Sequence, residues 1–245
     1  MKRLGVTAAG VVLLIAVVQV ISVSGVAGAT WPSMSGILDF LRAPGSGDLV
    51  LSALASTASS AWWGFAIGSA VATALSALSA IATQLRPGLT TLVGVLHAIP
   101  IVAIAPLLIT VVGPDTTPTV LAALAVGFVV FVAATSAQSD AEQATDDWFS
   151  TLGASRWQRY LRLQAPRSIP SILDGMTLAV PAAVLGAVFG EWFGASEGIG
   201  VLLVSQMQNF QMNALWASSL ITVALSGGAY LVVTALRRYA YGVLT

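Results

Sequence analysis

Two ionisable side chains stand in apolar surroundings, His97 in VGVLHAIPIVAIAP and Glu191 in AVFGEWFG. Such groups are costly in an apolar environment and mark functional positions by default. Glu191 could line a path, bond the terminus of a neighbouring helix, or face water at the end of its apolar run. An ionised carboxylate there would repel an anion, which argues against contact with an anionic solute. His97 reads either as a packed side chain with its hydrogen bonds met or as a donor lining a pore. Pro100 and Pro106 follow it. Each would bend a helix and free backbone carbonyls that need other partners or water. Further polar groups come from SQMQNFQMN at 205–213, where Gln206 and Asn209 follow Gly198-Ile199-Gly200 and a short apolar patch. That stretch is either a partly re-entrant helix, docking a partner or gating a vestibule, or a solvated loop.

These groups do not add up to a catalytic set. The sequence has no cysteine, one histidine and a single lysine, Lys2. Disulfides, thiolate nucleophiles, cysteine-ligated metals and multi-histidine cages are excluded. A phosphate-binding Gly-Lys-Ser/Thr loop has no lysine to use. No catalytic residue, metal site or cofactor of its own is expected.

The elements that must position these residues are membrane helices. The chain of 245 residues is 57% hydrophobic and 8% charged, against roughly 25% charged for a soluble domain. A span needs about 20 apolar residues to cross about 30 Å of hydrocarbon. Six candidates meet this, at roughly 6–25, 57–83, 89–112, 118–137, 172–193 and 214–236. The fold expected is therefore an all-α integral membrane protein of about six transmembrane helices. Net charge is zero, so no bulk attraction to nucleic acid is implied, and the surrounding partner is membrane lipid.

Sidedness follows from Lys and Arg in the short loops. With the N-terminus inside, nine basic residues are cytoplasmic (Lys2, Arg3, Arg86, Arg156, Arg159, Arg162, Arg167, Arg237, Arg238) and only Arg42 is outside. Both termini are expected in the cytoplasm, with outer loops at 26–56, 113–117 and 194–213 and inner loops at 84–88 and 138–171. The first span has a rival reading as a secretory signal, because Lys2-Arg3, an apolar run and Ala27-Gly28-Ala29 resemble one. Asp174 is expected to open the fifth helix, where a carboxylate complements the dipole. The small residues of the second span, among them Gly64, Gly68, Ser69 and Ala72, suit tight helix packing within the subunit.

The loop at 138–171 concentrates the basic charge. Its first part, SDAEQATDDWFSTLG, is acidic and helix-compatible, and Gly153 breaks it. Ser155-Arg156-Trp157-Gln158 fits a capping box for a new helix. Trp157, Tyr160, Leu161 and Gln164 would share one face and Arg156, Arg159 and Arg162 another. Pro166 and Pro170 are expected to end that helix before the fifth span. The segment reads either as a positive-inside anchor or as a docking element for a cytoplasmic partner.

Here the residues resemble a known family. The loop is similar to that of permease subunits of bacterial binding-protein-dependent ABC importers, whose pattern is Glu-Ala-Ala, three residues, Gly, nine residues, Ile, one residue, Leu-Pro. Gly153 and Pro166 fall at the glycine and proline with the right spacing. Leu163 and Ala165 stand at the Ile and Leu, while Asp147-Trp148-Phe149 replaces Glu-Ala-Ala. HAIPIVAIAPLLI from His97, Thr57 with Gly64-Phe65, and GEWFGASEGIG from Gly190 resemble the nitrate/sulfonate/taurine branch. The resemblance covers about residues 50–238.

The resemblance implies a type I importer permease-like core with a cytoplasmic coupling helix, in a bacterial inner membrane. It divides a single transmembrane permease domain, 1–245, into an N-terminal helix and outer loop (1–49) and the permease core (50–238), which holds the coupling loop (138–171). The implied partners are two cytoplasmic ATPase subunits, which bind the ATP and Mg, a second permease subunit, and an extracytoplasmic binding protein. Asp147, Trp148, Gly153, Ala154, Ser155, Arg156, Trp157 and Pro166 would then contact the ATPase. His97, Pro100, Glu191, Gln206 and Asn209 would belong to the path or its gates. The second permease subunit is either another copy of this chain or a different subunit, and the aromatics of Asp147-Trp148-Phe149 are one motive for the latter. The branch implies a small anion or organic acid such as a sulfonate, nitrate or bicarbonate, with vitamin precursors and aromatic acids also handled by relatives. A stand-alone secondary transporter or channel is the alternative; it would carry inverted repeats and several intramembrane charges.

Overall fold

The computed structural model describes residues 31–139 and 153–244, with positions 10, 19, 20 and 151. The expected first span, its reading as a signal, and the Asp147-Trp148-Phe149 stretch lie outside the described residues. The regular elements described are all helical: α1 Met34–Arg42, α2 Ser46–Ile81, α3 Arg86–Ala98, α4 Ile101–Val112, α5 Thr117–Ser139, α6 Arg156–Arg159, a π turn Tyr160–Gln164, α7 Ala165–Glu191, α8 Ile199–Gln208 and α9 Met212–Leu244.

Among the described residues, four helical stretches are long and apolar enough to cross a membrane: α2, α5, the run Arg156–Glu191, and α9. The bent pair α3–α4 makes a fifth if counted as one span. The expected third span is thus not one helix; its halves meet at 98°. The cause is Pro100. It offers no N–H to continue the ladder, and its ring pushes Ile99 into an extended conformation at φ −76° and ψ 125°.

Three expected boundaries also move. The second span begins at Ser46 rather than residue 57, because nothing from Asp48 to Thr57 breaks the helix and Asp48 sits favourably in its first turn. The fifth begins far earlier than residue 172. Pro166 and Pro170 do not end the amphipathic helix, which runs on through the π turn into α7 as one 36-residue stretch. The π turn opens the ladder immediately before Pro166, with the Ala165 N–H reaching back five residues to the Tyr160 carbonyl. That is where a missing N–H and a bulky ring are otherwise least tolerated. Asp174, expected at a helix start, lies in the interior of α7. There it takes a 2.8 Å ion pair from Arg237 of α9.

The core forms around α5. Leu121, Ala122, Val126, Val130, Phe131 and Ala134 are buried there, and α5 packs most extensively against α7 and α2. Small residues make this approach possible. A Cβ on Gly64 or Gly68 of α2 would strike Ala122 or the Ala123 carbonyl, and one on Gly186 or Gly190 of α7 would strike the backbone of Ala122 or Pro118. Helices associate in lipid by such close contact rather than by excluding water. The small-residue stripe of the second span therefore packs within the subunit. In α9, by contrast, the most apolar window is wholly unburied.

Candidate functional site

The residues expected to couple to an ATPase and the expected path residue Glu191 fall at opposite ends of the Arg156–Glu191 stretch. At its start, Gly153 has φ +72°, a left-handed conformation that glycine adopts without strain. Among the described residues no other atom lies within 4 Å of where its Cβ would be. Ser155 then starts α6 with the complete capping box: its hydroxyl accepts from the Gln158 N–H at 3.3 Å, and the Gln158 side chain accepts from the Ser155 N–H at 2.9 Å. Trp157 and Tyr160 pack with ring centroids 6.2 Å apart. Gly153, Ser155, Arg156, Trp157 and Pro166 are exposed, and Ala154 is half-buried. Of the eight residues expected to contact an ATPase, Gly153 to Trp157 thus lie on one turn and the helix start that follows it, and Pro166 lies past the π turn in the first turn of α7. Asp147 and Trp148 lie outside the described residues.

At the other end, Glu191 is buried at 2% exposure. Its Oε2 accepts from the Gly200 N–H at 2.7 Å and the Thr57 hydroxyl at 3.0 Å. The Thr57 oxygen in turn accepts from the Ile199 N–H at 2.8 Å. Of the three roles open to Glu191, these bonds are those of a group bonding a neighbouring helix terminus, the start of α8. Gly198, at φ +139°, leaves the room: a Cβ there would fall on the Glu191 carboxyl. Thr57 stood out in the sequence only as part of the stretch with Gly64-Phe65 that carries the resemblance, with no role attached; its partners come from 134 and 142 residues away.

Nearby on the surface, the Asp115 carboxylate accepts both the N–H and the hydroxyl of Ser196, at 2.9 and 2.7 Å. These bonds, the backbone one foremost, hold the Asp115 carboxyl below its ordinary value of 3.8. No sequence signal pairs these two loops.

The other path residues scatter. Gln206 of α8 is buried, and Asn209 is exposed with its amide returned to the Ser205 carbonyl at 2.8 Å. The short α8 replaces the first half of what reads as an amide-rich loop. His97 is exposed at the break of the bent pair and stacks flat on Phe128 of α5. It borders an apolar cavity of about 310 Å³, lined also by Val93, Phe128 and Phe131. Pro100 caps α4 beside it. Among the described residues no three His, Cys, Asp or Glu side chains converge to hold a metal ion.

A bundle of long apolar helices around a small-residue core, with a capped turn at one end of one of its two 36-residue rods, defines a multi-pass helical membrane protein. Residues 72–241 match the family described as binding-protein-dependent transport system inner membrane component, and the chain belongs to that family. A probable ABC transporter permease protein of Haemophilus influenzae is 34% identical over 164 residues, 66% of this chain and 65% of that protein. The formylaminopyrimidine transport permease protein ThiX of Halalkalibacterium halodurans is 33% identical over 122 residues, 49% of each chain. The riboflavin transport system permease protein RibX of Chloroflexus aurantiacus is 32% identical over 108 residues, 44% of this chain and 40% of that one. The chain thus spans between two fifths and two thirds of these relatives' lengths. The fold is shared with an inward-facing MetNI methionine ABC transporter structure, at a TM-score of 0.60 and 16% identity, covering 87% of this chain and 100% of that one.

Proposed function

We propose that this chain is the permease subunit of an ATP-driven ABC importer, a non-catalytic membrane component through which a small solute passes. The family match over residues 72–241 carries the reading. In it, a cytoplasmic ATPase subunit docks at Gly153 to Trp157 and Pro166, and two such subunits bind and hydrolyse the ATP with Mg. A second permease subunit completes the path, and an extracytoplasmic binding protein delivers the solute. The basic residues at Arg86, Arg156 to Arg167 and Arg237-Arg238 support an inner-membrane orientation with both termini in the cytoplasm.

For the solute, the motif resemblance favours a small anion of the sulfonate, nitrate or bicarbonate kind. Two relatives instead carry the names of a formylaminopyrimidine and a riboflavin permease. The apolar cavity beside the His97–Phe128 stack supports the second class, since pockets for flat heterocycles are lined by apolar and aromatic side chains. We therefore favour a heterocyclic vitamin precursor.

The test is Gly153→Trp in the complex reconstituted with its ATPase and binding protein. Membrane insertion stays intact and solute-stimulated ATP hydrolysis is lost. Unchanged stimulation would remove Gly153 from the coupling contact. Competition for uptake by formylaminopyrimidine, riboflavin, taurine and nitrate in the same vesicles decides the solute class.

A further inference from the structure

We propose that Thr57 is a positioning residue: with Glu191 it forms a latch that holds α8 against α2 and α7, and α8 undocks as a unit when the latch opens. The first N–H groups of any helix have no partner within it. Many helices meet this need with a side chain of their own cap, as α1 and α6 do here. The cap of α8 is Gly198, which has none. Instead the Ile199 N–H goes to the Thr57 oxygen on α2, and the Gly200 N–H goes to Glu191 Oε2 on α7. Its terminus is satisfied by two other helices, and only while it is docked.

The release side is built in as well. Thr57 has one hydroxyl proton and two acceptors in reach, Glu191 Oε2 at 3.0 Å and the Ala53 carbonyl of its own helix at 3.1 Å. Turned to Glu191, the proton closes the latch. Turned to Ala53, it leaves the hydroxyl satisfied within α2, a bond that helical threonines commonly make. Opening therefore strands nothing on α2. Glu191 Oε1 accepts no hydrogen bond in the docked arrangement although it is buried, so water reaching this end would relieve it. The N–H groups of α8 likewise need water to leave.

The surroundings fit a part that moves as a unit. α8 has only 10 residues, too few to span the membrane. Its Ile199 rests on Val50 and Ala53 of α2, with Phe40, Leu54 and Ile221 around them. Such an apolar cushion holds without fixing direction, so the two directional bonds set the docked register. Ser56 adds a long 3.5 Å contact to the Glu197 carbonyl just ahead of α8.

The consequence for transport rests on the importer reading; the latch itself does not. The chain has no cysteine, so cysteines introduced at Leu51 and Met207, exposed on α2 and α8, carry spin labels alone. Their separation in lipid nanodiscs reads docking without any solute or ATPase. Thr57→Ser keeps both bonds and keeps one narrow separation. Thr57→Val matches the shape of threonine but neither donates nor accepts; it adds a second, displaced population, shifting the docked ratio by about tenfold, as expected when a buried donor loses its acceptor. Gly198→Ala, which crowds the Glu191 carboxyl and leaves Thr57 in place, produces the same second population. If either variant that folds gives the wild-type separation, the latch is overturned. In the reconstituted complex, solute moved per ATP falls by about tenfold in Thr57→Val and returns in Thr57→Ser. A threonine that only stabilises the fold would lower yield and leave that ratio unchanged, and such a result overturns the transport half. A chain that binds no ATPase sinks the importer reading while the spin-label result still stands.

Discussion

The imidazole of His97 lies flat on the ring of Phe128, with centroids 3.5 Å apart and planes 3° from parallel. This contact pins the broken α3–α4 pair to the central helix beside the apolar cavity. Offset-stacked and edge-to-face ring pairs contribute about 0.5–1.5 kcal/mol beyond their buried area, and a face-to-face pair such as this one falls toward the low end of that range. His97→Ala should lower the stability of the purified subunit by that order, and His97→Phe should keep most of it. Thermal unfolding in detergent compares the two. Equal melting temperatures for both variants would remove the stack from the forces holding the bent pair.

Gly186 and Gly228 separate packing from propensity. Alanine gains about 1 kcal/mol over glycine in a helix interior. At Gly228 a Cβ meets nothing among the described residues, so Gly228→Ala should raise the melting temperature of the isolated subunit slightly. At Gly186 a Cβ would press on the backbone of Ala122. The overpacking cost of about 1–3 kcal/mol exceeds the helix gain, and Gly186→Ala should destabilise. Fluorescence-detected size exclusion after heating gives the sign for each.

The Asp174–Arg237 pair joins α7 to α9 with Asp174 about half exposed, and Tyr241 lies at 3.2 Å from the same carboxylate. A pair this exposed is worth about 0.2–1 kcal/mol and weakens with salt. Arg237→Gln should cost that much at low salt and less at high salt. The exchanged pair Asp174→Arg with Arg237→Asp should recover part of it. A loss that does not change with salt would point to packing by the arginine stem instead.

Acid should untie the two surface loops. The Asp115 carboxyl sits below its ordinary 3.8 because Ser196 donates to it twice. A depressed folded value means that the tie contributes fully above the unfolded value and is lost as pH falls through the folded one. The stability difference between wild type and Asp115→Asn should therefore be constant near neutrality and shrink once pH drops past 3.8. Melting both proteins across that range checks it; a difference that grows on acidification would reverse the assignment.

What the sequence made legible was local. Apolar run length located the helices, Pro100 marked the break, and Ser155 with Gln158 announced a cap that forms as written. Gly153 and Pro166 carried the family resemblance by spacing alone. The misreadings share a cause. Pro166 and Pro170 were breakers by local rule, yet a π turn absorbs the strain and the helix continues. Asp174 suited a helix start until its partner on a helix 63 residues away gave it another use. Thr57, Gly198 and Gly200 act together only because folding brings α2, α7 and α8 to one point, and no periodicity encodes that meeting.

The run from Arg156 to Glu191 is one helical rod of 36 residues, about 54 Å long at 1.5 Å per residue. It is a lever with a buried carboxylate at its tip. If its middle is held by α5, a tilt of about 5° displaces the two ends in opposite directions by about 2.4 Å each, about 5 Å in total. A hydrogen bond of 3 Å does not survive a relative shift of even half that size. Motion imposed beside Ser155 is therefore felt at Glu191 as an all-or-none break rather than a graded stretch. The gain of the device is set by rod length, and the π turn near its base and, farther along, Pro170 and Pro181 are the places where that motion can be lost.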